Sequence, residues 1–379
     1  MTDCKKQIRS SVISAPNNYL VVTGNITPND TTTISLSRTV NISGQVNSKP
    51  EFNASVTIEG SQGGSYPLTA TGNGNYISAP LNLSAAQSYR LKITTSDGKQ
   101  YVSDFVSVKN SPPIDMVNYT LKNSGLQINV STHDPANKTQ YYRWDYNETY
   151  IIHSMYYSHY MAVNHDTTAI RPADQQIYEC WVTDTASTIV LGSSAKLSQD
   201  IISDQAVIAI PFNAEKGFIR YSILVKQYAL TADAYNYFTL LKKNTEQLGG
   251  IFDAQPSALR GNIHCTSNPA EPVIGYITAG TTTQKRIFID HNDLPGWAIS
   301  KPDTACSADT LLYIRITVTK VGPPLISTAA REVYDQIYGG IKIPIDIVGL
   351  YPTGGFTGAF PQCVDCTLRG VNKPPAFWK

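Results

Sequence analysis

Tyr89-Arg90-Leu91-Lys92-Ile93-Thr94-Thr95-Ser96-Asp97-Gly98-Lys99-Gln100-Tyr101-Val102-Ser103 decides how the first third of the chain is read. Tyr89, Leu91 and Ile93 alternate with Arg90 and Lys92, so a strand here packs one face and wets the other. Asp97-Gly98 then interrupts the alternation and supplies the positive backbone angles of a tight hairpin. Strand-like segments of the same kind surround it: Leu20 to Ile26, Ile34 to Val40, Ala54 to Glu59, Tyr66 to Thr69, Asn75 to Ala79 and, after the turn, Tyr101 to Val108. Seven short strands within residues 19–110 predict an immunoglobulin-like or transthyretin-like β-sandwich.

Ser111-Pro112-Pro113-Ile114-Asp115 ends this pattern, because consecutive prolines cannot pair inside a central strand. The boundary is placed there. Residues 111–379 read as a larger β-rich domain, with strands expected at Met116 to Leu121, Leu126 to Ser131, Tyr141 to Met161, Tyr178 to Thr183, Ala206 to Phe212, Phe218 to Tyr228, Val273 to Ala279, Lys285 to Asp290 and Leu312 to Thr319. A helix is expected over 231–248, capped by Thr231 and carrying Ala234, Tyr237, Phe238, Leu241 and Leu248 at helical spacing. A second helix is expected over Ser327 to Tyr338. The fold class is therefore mainly β, with one or two helices, and 379 residues leave room for about two domains.

Thirty basic and 29 acidic side chains give a net charge of +1, which offers no field for a polyanion. Nucleic acid is not an expected partner. Charged residues are 16% of the chain, against about 25% in an average soluble protein, and Ser, Thr, Asn and 23 Tyr fill the gap. That balance suits an extracytoplasmic β protein. No apolar run approaches the ~20 residues of a membrane-spanning helix; Ala206 to Phe212 is strand-length.

The chain begins Met1-Thr2-Asp3-Cys4-Lys5-Lys6, without the charged start and apolar stretch of an export signal. Residues 1–18 read as a polar tether. Cys4 is either the lipid-bearing cysteine of a lipoprotein or an incidental terminal one, and Asp3 stands where a lipoprotein cleavage motif usually carries a small residue. Among Cys180, Cys265, Cys306, Cys363 and Cys366, an oxidising compartment allows two disulfides and one remaining thiol. Cys363-Val364-Asp365-Cys366 has the spacing of a zinc or redox pair, but lacks the second close pair of a ribbon and the strand-to-helix setting of a thioredoxin site. Disulfides pinning the C-terminal tail are expected, with Cys180, beside Trp181, as the buried leftover thiol.

Three of six histidines fall between His153 and His165, yet His153 and His159 would lie about 20 Å apart along one strand, too far to share an ion. No metal or cofactor is expected. No nucleophile elbow, phosphate loop or calcium loop occurs, so no catalytic residue is assigned. The densest local signal is aromatic: Tyr141-Tyr142-Arg143-Trp144-Asp145-Tyr146, continuing to Tyr156 and Tyr157. Tyrosine and tryptophan hold sugars, peptides and proteins with little entropy loss, which makes Tyr141, Tyr142, Trp144, Tyr146, Tyr156 and Tyr157 candidates for ligand or partner binding. The alternative is that alternate members, such as Tyr142, Trp144 and Tyr146, form the core of a buried strand.

An ordered series runs nearly end to end: an early cysteine, Leu20-Val21-Val22-Thr23-Gly24, Asp97-Gly98-Lys99-Gln100-Tyr101, Pro112-Pro113-Ile114-Asp115, Tyr142-Arg143-Trp144, Cys180-Trp181, Leu224-Val225-Lys226-Gln227-Tyr228, Phe252-Asp253-Ala254-Gln255-Pro256, the closing Cys363 to Cys366, and Lys373-Pro374-Pro375-Ala376-Phe377-Trp378. In this order they resemble the domain-of-unknown-function 4249 lipoproteins of Bacteroidota. The resemblance implies an outer-membrane lipoprotein held through lipid on Cys4, facing the cell surface and often encoded beside a TonB-dependent receptor, which becomes the expected partner. It brings no catalytic residues. The expected function is non-enzymatic: binding a nutrient ligand, glycan or peptide, or docking on the transporter. The alternatives are a structural or assembly subunit of an outer-membrane complex, and a hydrolase of surface glycans or peptides.

Overall fold

The computed structural model describes residues 18–40, 49–246, 259–297, 306–313, 331–349 and 354–379. Cys4, the Phe252 to Pro256 stretch and most of the strand expected at Leu312 to Thr319 lie outside them. The described chain is mainly β. Its first nine strands are β1 (Leu20–Ile26), β2 (Thr33–Arg38), β3 (Lys49–Pro50), β4 (Ser55–Gly60), β5 (Ser65–Gly72), β6 (Asn75–Ile77), β7 (Ser88–Thr94), β8 (Gln100–Ser103) and β9 (Val106–Lys109). The long strand expected from Tyr101 to Val108 is thus two, broken at Asp104-Phe105.

The turn between β7 and β8 lies where expected but has a different geometry. Thr95 C=O accepts from Gly98 N–H at 2.9 Å, and only Gly98 (φ 83°) is left-handed. That is a type I turn closed by a left-handed glycine, the usual longer hairpin loop. A two-residue turn with both central angles positive occurs instead at Asn73 (φ 50°) and Gly74 (φ 74°), between β5 and β6.

Ten further strands and a helix follow: β10 (Ile114–Lys122), β11 (Gly125–His133), β12 (Tyr141–His153), β13 (Tyr160–Ala162), β14 (Thr168–Ile170), β15 (Glu179–Thr185), β16 (Val190–Ser193), β17 (Ile201–Pro211), β18 (Arg220–Ala229), α1 (Ala232–Glu246) and β19 (Ile263–Cys265). Thr231 caps α1 through its Oγ1, which accepts from Ala234 N–H at 3.2 Å. Beyond lie β20 (Ile274–Gly275), β21 (Thr278–Gly280), β22 (Thr282–Asp290), β23 (Asp309–Leu312), β24 (Ile343–Val348), β25 (Gly355–Ala359) and the short α2 (Pro361–Val364). Of the second expected helix, the described part is a wide, π-type helical segment, Val333–Tyr338.

Pairings in the first sandwich close a circuit, β7-β4-β5-β6-β2-β1-β21-β9 and back to β7. Leu20, Val22, Ile34, Ile58, Tyr89, Leu91, Ile93 and Tyr101 fill it, each at most 1% exposed. Strand pairing crosses the expected division at residue 110. β19 adds to β8, while β20 and β21 run parallel to β1, so Ile263, Cys265, Val273, Ile277 and Ala279 complete the first core from far along the chain. Residues 19–110 leave one edge of β1 unpaired, and the returning segment covers it.

The second sandwich packs the sheet β10-β11-β17 against the sheet β15-β12-β18-β22, with β16 also on β12. Tyr142, Trp144, Tyr221, Ile223 and Val225 from one sheet meet Ile128, Val130 and Val207 from the other. A third, small sheet, β23-β25-β24, carries the C-terminal part.

Of the chain crossings between the sandwiches, β9 into β10 and β21 into β22 run side by side. They are laced together: Thr281 N–H donates to Lys109 O at 3.0 Å, Ser111 N–H to Thr281 Oγ1 at 2.9 Å, and Thr283 Oγ1 to Pro112 O at 2.9 Å. The prolines thus mark a joint, not a free linker.

Disulfides join Cys180 to Cys366 and Cys306 to Cys363. The free thiol among the described cysteines is Cys265, buried in the first core. This corrects the expectation that Cys180 is left over: β15 carries it to within 5.7 Å, Cα to Cα, of Cys366. Neither Cys363 nor Cys366 pairs with the other. They staple a tail whose Trp378 ring packs on Trp181 and Phe288.

Candidate functional site

Along β12 the two-residue period that buries Tyr142, Trp144 and Tyr146 turns Arg143 and Asp145 to the opposite face. Strand register then builds a grid. Arg143 stands opposite Tyr228 and Tyr228 opposite Thr282; two residues along, Asp145 stands opposite Lys226 and Lys226 opposite Gln284. Across from the grid lies the outer face of β1 and β2, where Thr23 pairs with Ser35, followed by the Pro28 to Thr31 turn. Together they line a cleft of about 560 Å³ between the sandwiches.

That volume falls in the usual range for small-ligand sites, about 300–1,000 Å³. The lining is unusual for such a site, because it is almost entirely polar: Thr23, Thr27, Thr31, Thr33, Ser35, Asn25 and Asp30 from the first sandwich meet the six residues of the grid. Neither histidine nor cysteine lines it. Gly24 keeps the wall flush: its φ is +153°, and a Cβ there would sit 2.6 Å from both Ile34 Cδ1 and Thr33 O.

Arg143 is the most constrained member. Its guanidinium lies 4.6 Å from the Tyr228 ring centroid and 4.7 Å from that of Phe238 on α1, while Nη2 donates to Asp145 Oδ2 at 3.0 Å. Cation–π contact on two sides and a carboxylate at one end hold its planar fork in place. Burial first, and the negative Asp145 second, push the Tyr228 phenol above its ordinary pKa, so it stays a hydrogen-bonding neutral group. Lys226 differs from its neighbours: among the described residues it has no ion-pair partner.

A second cavity, about 740 Å³, contains Glu148, Asp184 and Lys216. Here the charges satisfy one another. Lys216 Nζ reaches Glu148 at 2.8 Å and Asp184 at 3.2 Å, and Tyr221 OH donates to Glu148 Oε1 at 2.8 Å. Burial works against the Lys216 charge, but the two carboxylates hold its pKa above the ordinary value. Every charged group of this cluster is engaged by another, and two carboxylates against one ammonium leave it with a net charge of −1.

The six aromatic candidates do not gather. Tyr142 and Trp144 are fully buried and stacked at 5.6 Å, and Tyr142 OH donates to buried Asp200. Tyr146 is 4% exposed. All three pack in the core of the second sandwich, the alternative reading of the stretch, and Tyr146 also reaches the lining of the second cavity. Tyr141 packs on Tyr235 of α1, and Tyr156 OH donates to Cys306 O at 3.3 Å. Tyr157 is the exposed one, its ring 5.3 Å from Tyr178 and 4.8 Å from His159. His153 ends β12 and pairs with Glu179 at 3.0 Å; among the described residues no three potential metal ligands cluster. Arg143, Asp145, Lys226 and Gln284, which build the cleft, are missed by a reading that follows aromatic content. Their signal is the same alternation, since Arg143 and Asp145 interleave with the aromatic core residues.

The profile of the family described as "Domain of unknown function (DUF4249)" matches residues 5–286. No curated protein matches the chain. Among solved structures, the two fibronectin type-III domain segment from chicken tenascin is similar at 8% identity, with 55% of this chain and 90% of that one covered and a TM-score of 0.17. A likeness at that score adds nothing to the fold described above. Among the described residues no helix is long and apolar enough to cross a membrane.

Proposed function

The chain belongs to the domain-of-unknown-function 4249 family, and on that premise we propose that it is a lipid-anchored binding protein of the outer membrane. It holds a polar ligand in the cleft between its sandwiches and works beside a TonB-dependent receptor. The cleft carries this reading: a cavity of ligand size whose charged lining includes an ammonium, that of Lys226, with no ion-pair partner among the described residues. Two disulfides fit an oxidising, extracytoplasmic setting. Lipid on Cys4 supplies the anchor, and stable anchoring needs more than one acyl chain.

The test is fractionation of cells expressing the protein from its own locus, wild type against Cys4→Ser, followed by detergent pull-down. Wild type in the outer-membrane fraction, the variant released, and a TonB-dependent receptor in the eluate support the proposal. Equal release of both proteins, or turnover of a bound compound by the purified protein, overturns it.

A further inference from the structure

We propose that the cleft takes a polyhydroxylated ligand carrying a carboxylate, an acidic sugar of the uronic-acid class. This rests on the cleft being a binding site and names what it binds.

Three features of the lining select that chemistry. The β1–β2 wall presents hydroxyls, those of Thr23, Thr31 and Thr33, and a hydroxyl both donates and accepts. Such a wall suits a ligand that is itself rich in hydroxyls and gives an apolar one nothing to bury against. The sole aromatic ring among the described lining residues, that of Tyr228, is already taken up by the Arg143 guanidinium at 4.6 Å. Stacking is therefore not the main grip.

The charges are arranged by side. Asp30 lies on the turn after β1, with its Oδ1 accepting from Thr31 N–H at 2.7 Å. The cations Arg143 and Lys226 lie on the grid, where Asp145 is engaged by Arg143. Lys226 is half-buried and, with Asp145 opposite it in register but bonded to Arg143, forms no ion pair among the described residues, so a ligand carboxylate would meet an ammonium not already paired. Arg143, held on both faces by rings and by Asp145, loses little freedom on presenting a further N–H to the same anion. The ligand's acidic end thus belongs on the grid and its hydroxyl face on the β1–β2 wall.

The experiment is calorimetric titration of the full chain with a galacturonic acid trimer and with its fully methyl-esterified form, which keeps the ring hydroxyls and loses the charge. A neutral oligosaccharide and a short polar peptide serve as further probes. The acid should bind at least about tenfold more tightly than the ester. Lys226→Met, which keeps the aliphatic stem, should erase that difference. Lys285→Met, the same charge change on the β22 strand but outside the lining, should preserve it. Equal binding of acid and ester, or an unchanged preference in Lys226→Met, overturns the acidic-sugar assignment. Binding of the neutral sugar or the peptide, weakened by Lys226→Met, would overturn the assignment yet leave the cleft as a binding site. No binding by any probe overturns both.

Discussion

The indole Nε1–H of Trp144 donates to Oε1 of Gln227 at 2.9 Å, and both residues are fully excluded from water. An indole nitrogen can only donate, so the amide oxygen must face it. That orientation turns the Gln227 Nε2 toward Pro112 O at 2.8 Å and Thr132 Oγ1 at 3.1 Å. The aromatic core of the second sandwich is thereby bonded to the chain crossing that leads from the first. Lys226 and Tyr228, flanking Gln227, face the cleft. One side-chain amide holds the joint from behind while its neighbours form the site in front.

Gln227→Ala leaves the Trp144 N–H buried without a partner and takes one of its two donors from the Pro112 carbonyl, which keeps Thr283 Oγ1. The orphaned indole N–H exposes a desolvation penalty of about 1–3 kcal/mol, so the variant should lose about that much in urea unfolding. Gln227→Glu, with a buried charge, should be at least as damaging. A loss below about 1 kcal/mol for Gln227→Ala would show that the joint does not depend on this hub.

Denatured without reductant, the Cys4→Ser variant should expose one equivalent of thiol, that of Cys265, and adding Cys265→Ser should remove it. Cys366→Ser opens a bridge spanning 186 residues and should lower stability by about 2–5 kcal/mol. Three or more thiols in the Cys4→Ser protein would contradict the pairing.

Glu271 lies on the returning segment and binds the first sandwich through Lys99 Nζ and Tyr101 OH, each at 2.7 Å. Burial works against its charge, yet those donors and Arg38 hold its carboxyl below the ordinary 4.5. A carboxyl lowered in the folded state adds stability that is complete above the unfolded value and lost as pH falls through the folded one. Wild type should therefore lose stability below about pH 4.5 faster than Glu271→Gln does. Parallel acid limbs in urea unfolding of the two proteins would refute the assignment.

Gly24→Ala places a Cβ against Ile34 Cδ1 and Thr33 O in a backbone region that L side chains rarely adopt. The strain should cost about 1–3 kcal/mol and disturb the cleft wall. An unchanged thermal midpoint would mean that the wall relaxes freely.

Much of the fold is legible locally. β1 is read to the residue, and α1 starts at the capping residue the sequence indicates. The aromatic stretch illustrates the limit. Its period says that Tyr142, Trp144 and Tyr146 share one face and Arg143 and Asp145 the other, but not which face is buried. Composition allows the aromatic side to be binding surface or core, and the structure buries it, because an opposite sheet lies there to accept about 150–250 Å² of each ring. The turn at Asp97-Gly98 is likewise placed by sequence and shaped by its strands.

What the sequence determined by itself is whatever depends on neighbours a few residues apart: strand and helix positions, turn sites, and the two sides of β12. What the tertiary structure decided is which distant pieces meet. Residues 262–280 close the first sandwich, Cys180 finds Cys366, and Thr23 and Gln284 come to line one cleft. Alternation is imposed by the backbone of each strand alone, whereas a partner is chosen by which edges and faces remain unpaired once the rest has packed. That choice is made by the whole chain together, and no single stretch of it carries the answer.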